Sequence, residues 1–330
     1  MCNRCNLSFR NFILISFSLL VLINCGGNDE PVLSQEDLDK ELIIDYFTNN
    51  NLDTTNTISS IYYEIIQSNP TGKVQQVDGK ILSIYYKSKV LEGADIEDIS
   101  NDGANKPVML KQGVGAIYPI GLDIALALMK EGEIFKFFIP SKLAYGELSF
   151  DSVIPENAII EIEIELVEIQ NEETLLITEL KTIEDYVISN ALNDTINNPL
   201  DSVDILITGE SYKKLIAGDK DNIPLQSQLI TINYTGKFLN GNLFDASAGN
   251  SFSFVFGTGE IISGLENGIA QMERGERALI IIPSAQGYKE SVMYIPSFLG
   301  LEFEKERIIP MYSVKVPPYQ VLVFDVTLLN

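Results

Sequence analysis

Ile232-Asn233-Tyr234-Thr235-Gly236-Lys237-Phe238-Leu239-Asn240-Gly241-Asn242-Leu243-Phe244-Asp245 is the stretch from which the fold can be read. It carries an aromatic on each side of a glycine-containing turn, and the second aromatic has an acid beside it. Packing alone gives an acid little reason to stand there. Working outward, the chain repeats itself: Tyr234 and Gly241 echo Tyr86 and Gly93. Gly264-Leu265, Met272 and Gly275-Glu276 echo Gly121-Leu122, Met129 and Gly132-Glu133, and Ile282-Pro283-Ser284 with Tyr288 echo Ile139-Pro140-Ser141 with Tyr145. Asp45-Tyr46, followed by Asn49, Asn50 and Leu52, returns as Asp185-Tyr186 with Ser189, Asn190 and Leu192. The interval shifts slightly between blocks, which puts the insertions in loops. Two copies of one module, 34–170 and 171–330, thus meet at the charged Asn171-Glu172-Glu173.

Each copy has readable periods. Ser34 and Asp37 form a capping-box pattern ahead of Leu42, Ile43, Tyr46 and Phe47 at helical spacing. Ile160-Glu161-Ile162-Glu163-Ile164-Glu165-Leu166 alternates strictly, which predicts a strand with one buried and one wet face. Phe252, Phe254 and Phe256 share a face in the same way. One short helix is expected mid-module, from Gly121 to about Met129 and from Gly264 to about Met272. Antiparallel strands curling around one helix give an α+β fold.

The 330 residues are 45% hydrophobic, enough to bury a core in two domains. A net charge of −23 repels phosphate backbones, so nucleic acid is not an expected partner. With no histidine, a Ser-His-Asp triad, a Cys-His pair or a His-ligated zinc cannot be built. Residues 1–24 read as an export signal, with Arg4 and Arg10 ahead of an apolar run from Phe12 to Ile23 too short to span a bilayer. Leu22-Ile23-Asn24-Cys25 is similar to a lipoprotein cleavage box with Asn in place of the usual small residue, and Cys25 is then the lipidated residue. A simple cleaved signal with an incidental cysteine is the alternative. Residues 25–33 read as a tether. The expected location is the cell envelope, at the outer membrane, facing the periplasm or the surface.

The opening stretch resembles the FKBP-type peptidyl-prolyl cis-trans isomerase signature of a Tyr-Thr-Gly strand, a turn and then Phe-Asp. Gly264-Leu265-Glu266-Asn267-Gly268, Pro317-Pro318 and Val323-Phe324-Asp325-Val326 follow in the family's order, and the first copy keeps the frame through Met129 to Glu133 and Ile139 to Glu147. The resemblance implies two half-barrel sheets, each wrapped on one short helix and each preceded by a helix, with a prolyl pocket between sheet and helix. It implies catalytic roles for Tyr234, Phe244, Asp245, Tyr288 and Phe324, and substrate contacts from Phe252, Glu260, Ile261, Ile262, Leu265 and Val316. Leu265 stands where the family usually has Trp. Singly, each aromatic reads as core; the frame gives Phe244-Asp245 and Tyr288 their other meaning. For Glu260 the resemblance implies that the backbone matters more than the charge, and the side chain reads equally as solvated or functional.

Amide rotation breaks no bond, so no nucleophile, metal or cofactor is required, and the expected partners are proline-containing polypeptides. In the first copy Phe-Asp becomes Ile96-Glu97, and the next aromatics become Val108 and Ile162; Tyr86, Leu122, Tyr145 and Ile154 remain. That copy reads as a weak proline binder serving as spacer, dimerisation surface or peptide holder. A long insertion at about 289–315 reads as a lid, a partner surface or a plain surface loop; Ile308-Ile309-Pro310 competes with Val316 for the flap position. Two functions stay open: an exported isomerase assisting folding, active mainly in the second copy, or a non-catalytic interaction lipoprotein that has kept the shape.

Overall fold

A computed structural model describes residues 33–74, 79–150, 153–193, 202–219, 222–305 and 315–330. The expected export signal, residues 1–24, and Cys25 lie outside the described residues, as does Ile308-Ile309-Pro310. From Gln35 onward the chain forms one unit.

The first copy runs α1 (Gln35–Asn49), β1 (Thr57–Ile58), β2 (Ile61–Gln67), β3 (Ile81–Val90), β4 (Asp95–Ile99), β5 (Val108–Lys111), β6 (Ile117–Tyr118), α2 (Ile120–Leu126), β7 (Ile134–Ile139) and β8 (Ile160–Gln170). The second runs α3 (Glu172–Ser189), β9 (Asp204–Ile205), β10 (Ser211–Ile216), β11 (Leu229–Phe238), β12 (Leu243–Ala246), β13 (Phe252–Val255), α4 (Ser263–Ile269), β14 (Arg277–Ile282), β15 (Met293–Tyr294), α5 (Phe298–Lys305) and β16 (Leu322–Leu328). The sheets have matching order, β4-β3-β8-β7-β2-β1 with β5 beside β3, and β12-β11-β16-β14-β10-β9 with β13 beside β11. All these pairings are antiparallel.

The registers coincide too. Ser88 pairs with Glu97 on one side and Ile162 on the other, as Gly236 pairs with Asp245 and Phe324. Each short helix lies in the hollow of its sheet, close enough that only glycine fits at the contact. A Cβ on Gly121 would stand 2.4 Å from Ile139 Cγ2, and one on Gly264 would stand 2.3 Å from Ile282 Cγ2.

The leading helices pack on the outer faces of the sheets. In α1, Asp39, Ile43 and Phe47 face inward and Leu42 is exposed, so the buried stripe is narrower than the spacing predicts. Phe47 stacks edge-on to Phe138, 4.7 Å between centroids. Asp39 accepts from the Ser141 amide (2.8 Å) and hydroxyl (2.7 Å); its counterpart Glu179 accepts from the Ser284 amide (2.9 Å). In β8 the expected wet face is partly covered: Glu161 is buried and paired with Lys89 (3.1 Å) and Lys136 (3.5 Å). Lysine stems from the neighbouring strands lie over it.

No linker separates the copies. β8 ends at Gln170, Asn171 caps α3 by accepting from the Thr174 amide (2.8 Å), and Leu175 packs with Ile81 and Tyr319. The insertion expected at 289–315 is not a plain surface loop. It crosses to the first copy, where β15 pairs in parallel with β6 and where Met293, Tyr294, Ile295 and Leu299 join the first core.

Candidate functional site

In the second copy β11 organises the site. Because its residues alternate, Ile232, Tyr234 and Gly236 share the concave face. Tyr234 donates from its hydroxyl to Asp245 Oδ2 at 2.7 Å, and its ring stands edge-on to Phe252 (6.1 Å) and tilted to Phe324 (6.0 Å). Phe244 meets Phe324 at 5.6 Å and nearly a right angle. Gly236 makes room for that pair, since a Cβ there would fall 2.7 Å from Phe244 Cζ and 3.0 Å from Phe324 Cε1.

These rings bound a hollow of about 660 Å³. Tyr234, Asp245, Phe252 and Phe324 wall it from the sheet, while Glu260, Ile261, Ile262 and Leu265 close it from the helix side and Tyr288 from the flap. Leu265 is buried at its edge. Two of the residues singled out in the sequence stand behind the lining. Phe244 backs Phe324, and Val316 is buried in the core cluster that also holds Leu265 and Phe324. Glu260 is exposed, and its carboxylate accepts from the Val255 amide (3.3 Å) and the Thr258 hydroxyl (3.1 Å), closing its own loop.

Burial, and then the bond to Asp245 and its charge, push the Tyr234 hydroxyl above its ordinary pKa, so it stays a donor. Asp245 is thereby fixed against the wall. The lining offers rings, aliphatic groups and hydroxyls beside the charged Asp245, Glu260, Lys289 and Glu290; no metal-binding cluster of His, Cys, Asp and Glu occurs among the described residues. Such a hollow can take up an apolar ring and hold an adjacent carbonyl, without bond making or breaking.

Sequence reasoning missed part of the wall. Ala116 of the first copy and the stretch Lys289 to Val292 also line the hollow. Ala116 comes from a distant part of the chain, so no local signal marks it. Also unforeseen is how closely the first copy keeps the geometry: Tyr86 donates to Glu97 Oε2 at 2.6 Å, as Tyr234 does to Asp245. Pro119 caps α2 where Ile262 caps α4, which equates Tyr118 with Ile261 across the insertion that obscures this match in sequence.

The model of the family described as "FKBP-type peptidyl-prolyl cis-trans isomerase" matches residues 72–167 and 220–329. FK506-binding protein 1 of Candida glabrata is 34% identical over 124 residues, covering 37% of this chain and 92% of that protein. Peptidyl-prolyl cis-trans isomerase FKBP9 of Mus musculus is 25% identical over 273 residues; the match takes in 82% of this chain but only 38% of the relative. Among solved structures, the three FKBP domains of wheat FKBP73 align over 82% of this chain and 94% of that one, with 18% identity and a TM-score of 0.32. With two matched segments, one per module, the chain belongs to the FKBP-type peptidyl-prolyl cis-trans isomerase family and carries its domain twice.

Proposed function

We propose that the second module is where this chain turns over prolyl peptides, and that it does so in the cell envelope, exported and held to a membrane by lipid on Cys25, assisting the folding of exported proteins. The observation that carries the reading is the open, ring-lined hollow with the Tyr234–Asp245 pair in its wall and Tyr288 at its flap. Rotation about an X-Pro bond meets a barrier of roughly 18–20 kcal/mol because amide resonance is lost on the way. An apolar cup of Phe252, Phe324 and Leu265, dried by the bound prolyl ring, favours the less polar twisted amide over the planar one, and a hydroxyl such as that of Tyr288 steadies the carbonyl as it turns. Each 1.36 kcal/mol gained in that way is about tenfold in rate.

Because Ala116 completes the hollow, the assay belongs on the full chain. Exchange of a proline peptide is expected to fall at least tenfold in Asp245→Ala and in Phe244→Ala. Turnover equal to wild type in both variants would remove this reading. For the anchor, growth with a labelled fatty acid should mark the wild-type chain and leave Cys25→Ala unlabelled; equal labelling would remove the lipid assignment.

A further inference from the structure

The first module's groove is occupied, and its occupant belongs to the same chain. The Met293 amide donates to the Ala116 carbonyl (2.8 Å) and the Ile295 amide to the Tyr118 carbonyl (2.9 Å), so the segment adds to the edge formed by Ile117 and Tyr118. The Tyr145 hydroxyl donates to the Ile295 carbonyl, the one that precedes Pro296. Pro296 itself is buried, and Ile295 belongs to the cluster that contains Tyr86, Leu122 and Tyr145. Beyond it, Phe303 closes over Tyr118 at 5.5 Å. These are the contacts an apolar-proline peptide would make with such a groove.

Glu97 adds a contact that the second module lacks. Its Oε2 accepts from Tyr86 and also from the Ser297 amide (3.0 Å), while Oε1 accepts from the Ser297 hydroxyl (2.5 Å). In the second module, Asp245 is a methylene shorter and bonds Tyr234. The longer acid reaches the residue after the proline. The smaller Ile96, Val108 and Ile162, in place of three phenylalanines, leave the width that the segment fills.

We propose that the first module is a peptidyl-proline docking site whose resident ligand is the chain's own Tyr294-Ile295-Pro296-Ser297, and that Glu97 makes it select a hydroxyl-bearing residue directly after the proline. This goes beyond the reading of the second module and does not need that module to be active. A tethered ligand acts at an effective concentration on the order of millimolar, so an outside peptide must compete with it.

The test uses the full chain carrying Ile295→Asp, which puts a charge into the groove and should release the segment. The probe is a labelled synthetic peptide with the sequence of residues 292–305, followed by fluorescence anisotropy. The released chain should bind the probe at least tenfold more tightly than wild type. That gained binding should be weakened about tenfold by Tyr145→Phe, by Glu97→Gln, or by alanine for the serine in the probe. No gain, or a gain indifferent to Tyr145 and Glu97, overturns the proposal. Amide exchange in β3 and β8 reports whether the released chain keeps its first sheet. If it does not, Glu97→Gln alone carries the test: faster exchange across 293–305 with native exchange elsewhere supports the proposal, and unchanged exchange overturns it.

Discussion

At the scale of single residues, the second hollow depends on a few groups whose losses have different signatures. Phe324 touches both Tyr234 and Phe244, so Phe324→Ala should cost about 3–5 kcal/mol of stability and most of the turnover. Tyr234→Phe keeps the ring and removes the donor to Asp245. It should cost only about 1 kcal/mol in denaturant unfolding while lowering turnover severalfold. Glu179 behaves differently. Burial raises its pKa, with the Ser284 bonds opposing, and one carboxylate oxygen has no partner. Since the folded state holds the proton more tightly than the unfolded chain does, the stability this residue contributes is present at low pH. It is lost as pH rises above the ordinary value of 4.5 and through the raised one. Glu179→Gln should therefore unfold at higher denaturant than wild type at pH 8, with the gap closing toward pH 4; an unchanged gap would contradict the assignment.

At the scale of elements, what was legible in the sequence is what repeats locally. The alternation in β8 depends on neighbours a few residues away; the glycines that admit α2 and α4 abut Ile139 and Ile282 on later strands, and it is their recurrence in the paired copies that made them visible. The covered face of β8 was not legible, because the lysines over Glu161 sit on two other strands. Nor was the placement of Val316 in the core cluster behind the hollow, since that depends on contacts with strands distant in sequence. Most of the predicted lining does meet, because the strand registers bring it together. One element-level test concerns the glycine of β11. Gly236→Ala drives a methyl into Phe244 and should destabilise by about 1–3 kcal/mol, with much of the loss recovered when Phe244 is also made Ile. The first copy carries the larger residue at this position, Ser88 paired with Ile162, and has Ile96 where the second has Phe244.

At the scale of the whole molecule, the copies are joined by more than their covalent link. Leu299 lies in the sequence of the second copy yet is fully buried in the core of the first. Leu299→Ala should therefore destabilise the first sheet by about 2–5 kcal/mol and leave exchange in β11 and β16 nearly native. The reverse pattern would mean that α5 does not pack there. Repetition shows that two modules exist but carries no sign of which loop of one fits the groove of the other. The same crossing sets a timetable for biosynthesis. The amino-terminal module is made first, but some of the side chains that finish its interior are made nearly last. A growing chain that ends before Met293 leaves an apolar trough uncovered, so the first half cannot complete its interior until the flap has been made.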